Sequence, residues 1–280
     1  HYSPAINDAT LEALQATLLG EIAAVKGAAA AANYFARLDT AGDTTYVPYK
    51  QPLTNYISSL VALGGAYWDD MVSATSFVGV GIQGITVPLR DGMTVATNNN
   101  FVAGDLDQLT GLKGDASTKW INLGVTDSDT LRDDVSLSNW VSVQGTINNK
   151  TSVGNHVTGM LDQTATTVVK YVSRTTNTDT VNVSPTLSEN FIGQNRTSGT
   201  GFDYQINGIS GSFTRASIAP IAAGMSVFKD QAFNRYSNPR LATYHYGPAL
   251  NLATLEALQA TLLSEISGAA AEIAAFAAES

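Results

Sequence analysis

The chain has 280 residues, a formal net charge of −9 at neutral pH and a hydrophobic fraction of 44%. This length and hydrophobic content are enough for a buried core, which excludes a disordered chain. The acidic balance opposes nucleic-acid binding, because that binding depends largely on Lys and Arg. The chain has no Cys, which excludes disulfides and thiolate zinc sites.

Charged residues make up only 14% of the chain, against about 25% in typical soluble domains. A low charge with abundant Thr, Ser and Asn is common in extracellular and virion proteins, so we expect an extracellular, cell-surface or virion location. No run of 18 apolar residues occurs, and we expect no membrane span. The sequence starts at His1 without Met or a signal peptide, from which we expect a processed form or a part of something longer.

A long amphipathic helix is predicted at the N-terminus, over about residues 9–36. Leu11, Leu14, Leu18, Ile22 and Val25 follow one another at spacings of three and four residues, which places them on one face of a helix. Further along, apolar residues between positions 51 and 75 follow helical spacing until Gly64 and Gly65 interrupt it. The sequence predicts one short helix there.

The middle of the chain has a different pattern, with short runs of β-branched and aromatic residues separated by Gly, Asn and Asp. This pattern predicts strands over residues 76–87, 93–102, 119–125, 139–147, 166–174, 180–183, 202–206 and 211–216. The sequence therefore predicts an α+β chain: a central, mainly antiparallel β-sandwich or barrel domain flanked by long N- and C-terminal amphipathic α-helices. The predicted domains are residues 1–37, 38–242 and 243–280.

The first 22 residues return near the C-terminus as residues 245–266. The two modules differ only at positions 3, 6, 8 and 20 of the first copy, so 18 of 22 residues are identical. The second module repeats the apolar face as Leu255, Leu258, Leu262 and Ile266. A module placed on both sides of a different middle indicates a part that joins something at each end, and it opposes a self-contained enzyme.

Two interpretations of the modules stay open. Each helix could pack its apolar face onto the central domain, or the helices could contact each other or copies in neighbouring subunits. Both faces of the helix are identical in the two copies, which favours partners, although a recent duplication explains the identity equally well. We predict an assembly interface at Leu11, Leu14, Leu18, Ile22, Leu255, Leu258, Leu262 and Ile266. In a repeat array, the C-terminal module of one unit could take the place where the next unit's N-terminal module begins.

Most motifs that carry chemistry fail on their context. A GxGxxG string at residues 79–84 is followed by a strand-like run, so no helix N-terminus faces a phosphate. Only His156 lies outside the two modules among the three histidines, which opposes Ser-His catalysis. Trp68, Trp120 and Trp140 could stack on sugars, but burial is the simpler expectation for each. The sequence thus predicts no catalytic residue and no cofactor site.

Asp127 and Asp129 are the best candidates for a structural calcium site. An Asp-x-Asp pair places two oxygen ligands on one side of an extended segment. The EF-hand pattern fails, because Leu131 and Arg132 stand at positions where that loop has a ligand and a glycine. Solvated carboxylates in a turn, or an acid pair of the glycosidase type, are the alternatives.

A helix that reads Ala-Thr-Leu-Glu-Ala-Leu at residues 9–14 and 253–258, beside a Thr-, Asn- and Gly-rich β domain, resembles the accessory structural proteins of tailed-phage virions, such as fibre, collar and adaptor components. Extracellular filaments and repeat surface proteins are similar in the same way. The resemblance implies self-association and attachment to neighbouring structural proteins.

The sequence favours a non-enzymatic structural subunit of an extracellular or virion assembly, which self-associates through its terminal helices. The alternative is a carbohydrate-binding adhesin or receptor-binding domain, whose partners would include glycans. A calcium-dependent glycan hydrolase is a third interpretation.

Overall fold

A computed structural model describes residues 8–145, 150–162, 168–182 and 189–279. The two long predicted helices are confirmed, as α1 (Asp8–Thr40) and α4 (Leu252–Glu279). The region predicted to hold one short helix instead forms α2 (Lys50–Ala62) and α3 (Gly65–Asp70). Gly64 separates them because its φ of 106° is a backbone conformation that side chains other than glycine rarely adopt.

The described β structure forms two large antiparallel sheets and one small hairpin. The strands are β1 (Ser73–Ser76), β2 (Thr97–Asn99), β3 (Leu106–Asp107), β4 (Gly111–Lys113), β5 (Trp120–Thr126), β6 (Val135–Val143), β7 (Lys150–Gly154), β8 (Thr158–Asp162), β9 (Val168–Ser173), β10 (Asp179–Asn182), β11 (Asn190–Arg196), β12 (Gly201–Ile206), β13 (Ile209–Thr214), β14 (Gly224–Val227), β15 (Lys229–Asp230), β16 (Arg235–Tyr236) and β17 (Arg240–Gly247). The first sheet has the strand order β13-β12-β11-β6-β17-β4-β3, and β1 also pairs with β17. The second sheet has the order β10-β9-β8-β7-β14-β5-β2.

Six of the eight predicted strands are found, though the ends predicted at residues 147, 166 and 183 lie outside the described residues. The strand predicted over residues 76–87 was wrong beyond Ser76, and only β2 forms within residues 93–102. The glycines of residues 79–84 serve close packing instead. A Cβ at Gly84 would lie 2.3 Å from the buried Asp43 carboxylate, and Asp43 accepts a hydrogen bond from the Gly81 N–H at 2.7 Å. This contact gives Gly81 and Gly84, two of the three glycines in the GxGxxG string, a packing role beside Asp43.

The two sheets pack face to face around one apolar core, as in a β-sandwich. A second core lies outside the first sheet, where α1, α2, α3 and α4 cover its outer face. The hairpin of β15 and β16 lies over the opposite side, against β7 and β14. The α+β sandwich predicted from sequence is therefore confirmed, with a helical layer on one face.

The predicted domain boundary after residue 242 falls inside a strand. β17 runs from Arg240 to Gly247 and pairs with β6 and β1 in the middle of the first sheet. The second module thus contributes the end of a central strand, and then the helix α4. Alternation could not indicate this strand, because residues 241–247 are buried on both faces of the sheet.

Candidate functional site

The apolar face of α4, which we call the C-terminal stripe (Leu255, Leu258, Leu262 and Ile266), packs within the chain. Leu255, Leu262 and Ile266 are at most 1% exposed, and Leu258 is half-buried against the same core. The helix lies against α2, the turn Val47–Tyr49, β11 and β12, and we call this surface the α4 seat. The prediction that the C-terminal stripe is an interface between subunits does not fit this structure, since its own body covers it.

The strand end of the second module is anchored by a buried polar network. The hydroxyls of Tyr56 and Tyr67 lie 2.6 Å and 2.9 Å from the two ring nitrogens of His245. Burial lowers the pKa of His245 to about 3, so the ring is neutral at ordinary pH. A neutral imidazole has one donor and one acceptor, so one tyrosine donates to the ring and the other accepts. Burial also raises the pKa of Tyr56.

The same sequence in α1 has the opposite environment. We call Leu11, Leu14, Leu18 and Ile22 the N-terminal stripe; they are 58%, 57%, 56% and 42% exposed, although three of their counterparts in α4 are buried and Leu258 is half-buried. From Gly27 onward, α1 packs on α2 through buried residues that include Tyr34, Phe35 and Leu38. The N-terminal stripe is thus an apolar helix face that the described chain leaves exposed, and its predicted role at an interface stays a prediction.

The distal half of α4 is also exposed, including Ile273 and Phe276 at 44% and 75%. Among the described residues, one helix, Leu252–Glu279, is long enough and apolar enough to cross a membrane. One such helix is weak support for a span, because helices of soluble proteins meet the same criterion.

A polar groove lies on the outer face of the first sheet, at its β11-β12-β13 edge. Its cavity is about 520 Å³, and the N-terminal end of α4 forms one wall. Across the three strands, Asn195 is opposite Asp203, which is opposite Ser212. In the next row, Gln205 is opposite Ser210. The complete lining is Asn195, Asp203, Tyr204, Gln205, Ser210, Gly211, Ser212, Leu250, Asn251, Leu252 and Ala253.

Asp127, predicted as a calcium ligand, is instead the centre of a buried ion pair. Its Oδ1 accepts from Arg174 Nε at 2.8 Å, and its Oδ2 accepts from the Ile221 N–H at 3.1 Å. Asp129 accepts from the Thr126 N–H at 2.6 Å and caps a short turn. No group of three potential metal-ligating side chains occurs among the described residues. The carboxylate of Asp127 is therefore paired with the side chain of Arg174, and not with the calcium ion that was predicted.

None of the three tryptophans lines the polar groove. Trp68 is buried, and Trp140 is half-buried against the helical core. Trp120 is half-buried on the other sheet, and Lys229 Nζ lies 4.3 Å from its ring centroid. His156 contacts Phe233 edge-on at 5.1 Å, with Asp230 at 3.9 Å. The groove was missed from the sequence because no strand was predicted over residues 190–196, where β11 forms one side of the array.

Comparisons with known proteins give no family. No family model matches the chain, and no curated protein matches it. Among solved structures, the sialidase of Trypanosoma rangeli in complex with sialic acid is 9% identical, with 72% of this chain and 34% of the sialidase covered and a TM-score of 0.49.

A botulinum neurotoxin serotype D binding domain is 11% identical, with 67% and 50% covered and a TM-score of 0.47. Domain 4 of the arabinanase AbnA from Geobacillus stearothermophilus, in complex with arabinotriose, is 14% identical, with 68% and 98% covered and a TM-score of 0.41. The chain spans about a third of the sialidase and half of the toxin domain. At these identities and TM-scores, the likeness carries no inference about a ligand or an activity.

Proposed function

We propose that this protein is a non-enzymatic binding module of an extracellular or virion assembly, and that its polar groove takes a neutral glycan. The observation that carries the proposal is the two-row array of amide, carboxylate and hydroxyl groups on the outer face of β11, β12 and β13. Its volume lies within the range of small-ligand pockets, about 300–1,000 Å³.

The spacing of the array suits a ligand with many hydroxyls. Neighbouring strands lie about 4.8 Å apart, and side chains on one face repeat about every 6.8 Å along a strand. Asp203 and Ser212 are exposed, and Asn195 is half-buried. Carboxylate, hydroxyl and amide groups together offer both donors and acceptors, which is what a polyhydroxylated ring requires. Tyr204 lies between Asp203 and Gln205 on β12, and its ring points to the other face of the sheet, where it packs against Tyr171 and Phe213.

The charge of the lining favours neutral ligands over anionic ones. Asp203 lines the groove, and Glu256 lies beside it, where its carboxylate accepts from Gln205 Nε2 at 2.5 Å. The lining includes no Lys or Arg. A sialylated or uronic-acid glycan would therefore meet like charge, so binding should favour neutral oligosaccharides and depend little on salt.

The surroundings of the histidines support a non-catalytic role. His245 is fully buried between two tyrosines, and burial lowers its pKa to about 3. His156 is on the opposite side of the sandwich, at the β15-β16 hairpin. A general base needs a pKa near the working pH and has to lie within reach of the substrate. Neither histidine lies in the groove lining.

A matched pair of substitutions on β13 tests the groove. Ser212→Leu places an apolar side chain in the array, whereas Thr214→Leu makes a similar change at an exposed position on the same strand outside the lining. On an array of neutral and acidic oligosaccharides, we expect binding of a neutral glycan that falls at least tenfold with Ser212→Leu and is kept with Thr214→Leu. No binding by the original protein, or equal loss in both variants, would refute the proposal.

A second candidate function, a structural subunit held in an assembly by its helices, is favoured by the exposed N-terminal stripe. Four large apolar side chains on one helix face form a patch of the kind that marks protein contact sites. Leu14→Glu with Leu18→Glu should reduce any assembly measured by light scattering, while Ala16→Glu on the opposite face should not. Assembly that is unchanged by the leucine substitutions would exclude this role for the stripe.

A further inference from the structure

Each long helix has one half that packs on the sandwich body and one half that does not. In α1, the N-terminal stripe is exposed, whereas the half after Gly27 is buried through residues such as Phe35. In α4, the C-terminal stripe is buried, whereas the half after Gly268 is exposed through Ile273 and Phe276. The first half of α1 and the second half of α4 are therefore the exposed halves.

The unpacked half of α1 has the residues that the packed half of α4 uses. The second module contacts its body through His245, held by two tyrosines, and through Tyr246, whose hydroxyl donates to Asp127 O at 3.1 Å. It then buries Gln259 and the C-terminal stripe. The first module has the same residue types in the same order at the corresponding positions: His1, Tyr2, Leu11, Gln15, Leu18 and Ile22. A helix selected only for exposure would not require this set.

The unpacked half of α4 likewise repeats features of the packed half of α1. Gly27 begins a Gly-Ala-Ala-Ala run and precedes Phe35 by eight residues, and Gly268 begins the same run and precedes Phe276 by eight. Gly27 has a packing reason, because a Cβ there would lie 2.8 Å from Ser58 of α2. Gly268 has nothing within 4 Å of such a Cβ, and Phe276 is 75% exposed where Phe35 is 4% exposed.

We infer that the N-terminal stripe docks into the α4 seat of a second sandwich body of this kind. A single helix, α1, then packs on the second body through its N-terminal half and on this body through the half after Gly27. α4 is placed to do the same for a further body. The partner is thus a domain with this fold and an empty seat, joined in tandem, rather than an unrelated protein.

The two linking helices differ in ways that set the geometry of each joint. Ile22 precedes Gly27 by five residues, whereas Ile266 precedes Gly268 by two. Three residues fewer in a helix rotate the next body by about 60° and bring it about 4.5 Å closer. In addition, Asp8 stands where Leu252 is buried, so the partner seat at that point differs from the seat in this body.

This inference goes beyond both proposed functions, because it names the partner of the exposed helix and does not depend on a glycan. A tandem chain tests it, in which residues 1–244 are followed directly by residues 1–280. The shared module then has to complete the first body. We expect the amides of residues 11–22 in the shared helix to be as protected from hydrogen exchange as those of residues 255–266 in the same protein.

Two variants of the tandem sharpen the result. Leu14→Glu with Leu18→Glu in the shared helix should remove that protection and leave the second body folded, whereas Ala16→Glu should keep it. A second tandem with Asp8→Leu in the shared module removes the charged mismatch at the seat. Protection in either tandem supports the inference, and an unprotected shared helix in both overturns it. Glycan binding by the folded second body is measured in a separate experiment, so a failure of the glycan proposal can be distinguished from a failure of the docking inference.

Discussion

The duplicated module offers one substitution in two environments. Leu18 and Leu262 occupy the same position in the identical stretch that runs from Ala9 to Leu19 in the first copy, yet Leu18 is 56% exposed and Leu262 is 1% exposed. Replacing either residue with Ala changes the same atoms within the same local sequence. A difference between the two variants therefore measures packing against the body, free of any difference in helix propensity.

The expected magnitudes follow from burial. Leu262 packs in the helical core with Leu255 and Ile266, and a buried Leu→Ala change typically costs about 2–5 kcal/mol. Leu18→Ala creates no cavity, and Ala is a slightly better helix former, so the change should stay within about 0.5 kcal/mol. We expect Leu262→Ala to lower the free energy of unfolding by at least about 2 kcal/mol more than Leu18→Ala.

Urea unfolding followed by far-UV circular dichroism, at low micromolar protein, measures both free energies. The low concentration keeps any contact through the N-terminal stripe from adding to the stability of the single chain. Equal losses for the two variants would refute the reasoning, because they would mean either that α4 is not packed or that the N-terminal stripe is.

Three further changes test other parts of the structure. His245 is held neutral by burial, so the unfolded state binds more protons than the folded state below about pH 6.5. The free energy of unfolding should therefore fall between pH 6.5 and 3, by up to about 1.4 kcal/mol per pH unit. Chemical unfolding at pH 7 and pH 4.5 should show a smaller loss of stability for His245→Gln than for the original protein. Gly27→Ala should destabilise by about 1–3 kcal/mol through its clash with α2, whereas Gly268→Ala should stabilise slightly, as thermal melts would show. Asp127→Ala leaves Arg174 buried without its carboxylate and should cost about 3–5 kcal/mol, and added calcium should change neither the original protein nor the variant in the same melts.

Periodicity was sufficient to predict the long helices and the sandwich class. The spacing of Leu11, Leu14 and Leu18 defines a helix whatever that helix contacts, and alternation such as that in β5 defines a strand with one buried face. Period alone could not separate Leu18 from Leu262, since the two copies have identical local sequence. Their different burial depends on α2, which lies beside α4 only in the folded chain.

The candidate sites were less accessible from sequence for the same reason. Asp127 and Asp129 resemble a ligand pair locally, but the partner of Asp127 is Arg174, 47 residues away. The groove brings Asn195, Asp203 and Ser212 together only through sheet register. The ion pair has no local signature, and the groove was missed because the sequence predicted β12 and β13 but not β11.

Hydrogen exchange on the single chain tests the central claim most directly, which is that one helical sequence is packed at one end of the chain and free at the other. At low protein concentration, we expect the amides of residues 255–266 to exchange only with opening of the body, and those of residues 11–22 to exchange orders of magnitude faster, as in a helix without tertiary contacts. Equal protection of the two segments would contradict the account, because it would show that the N-terminal stripe is already docked within the same molecule.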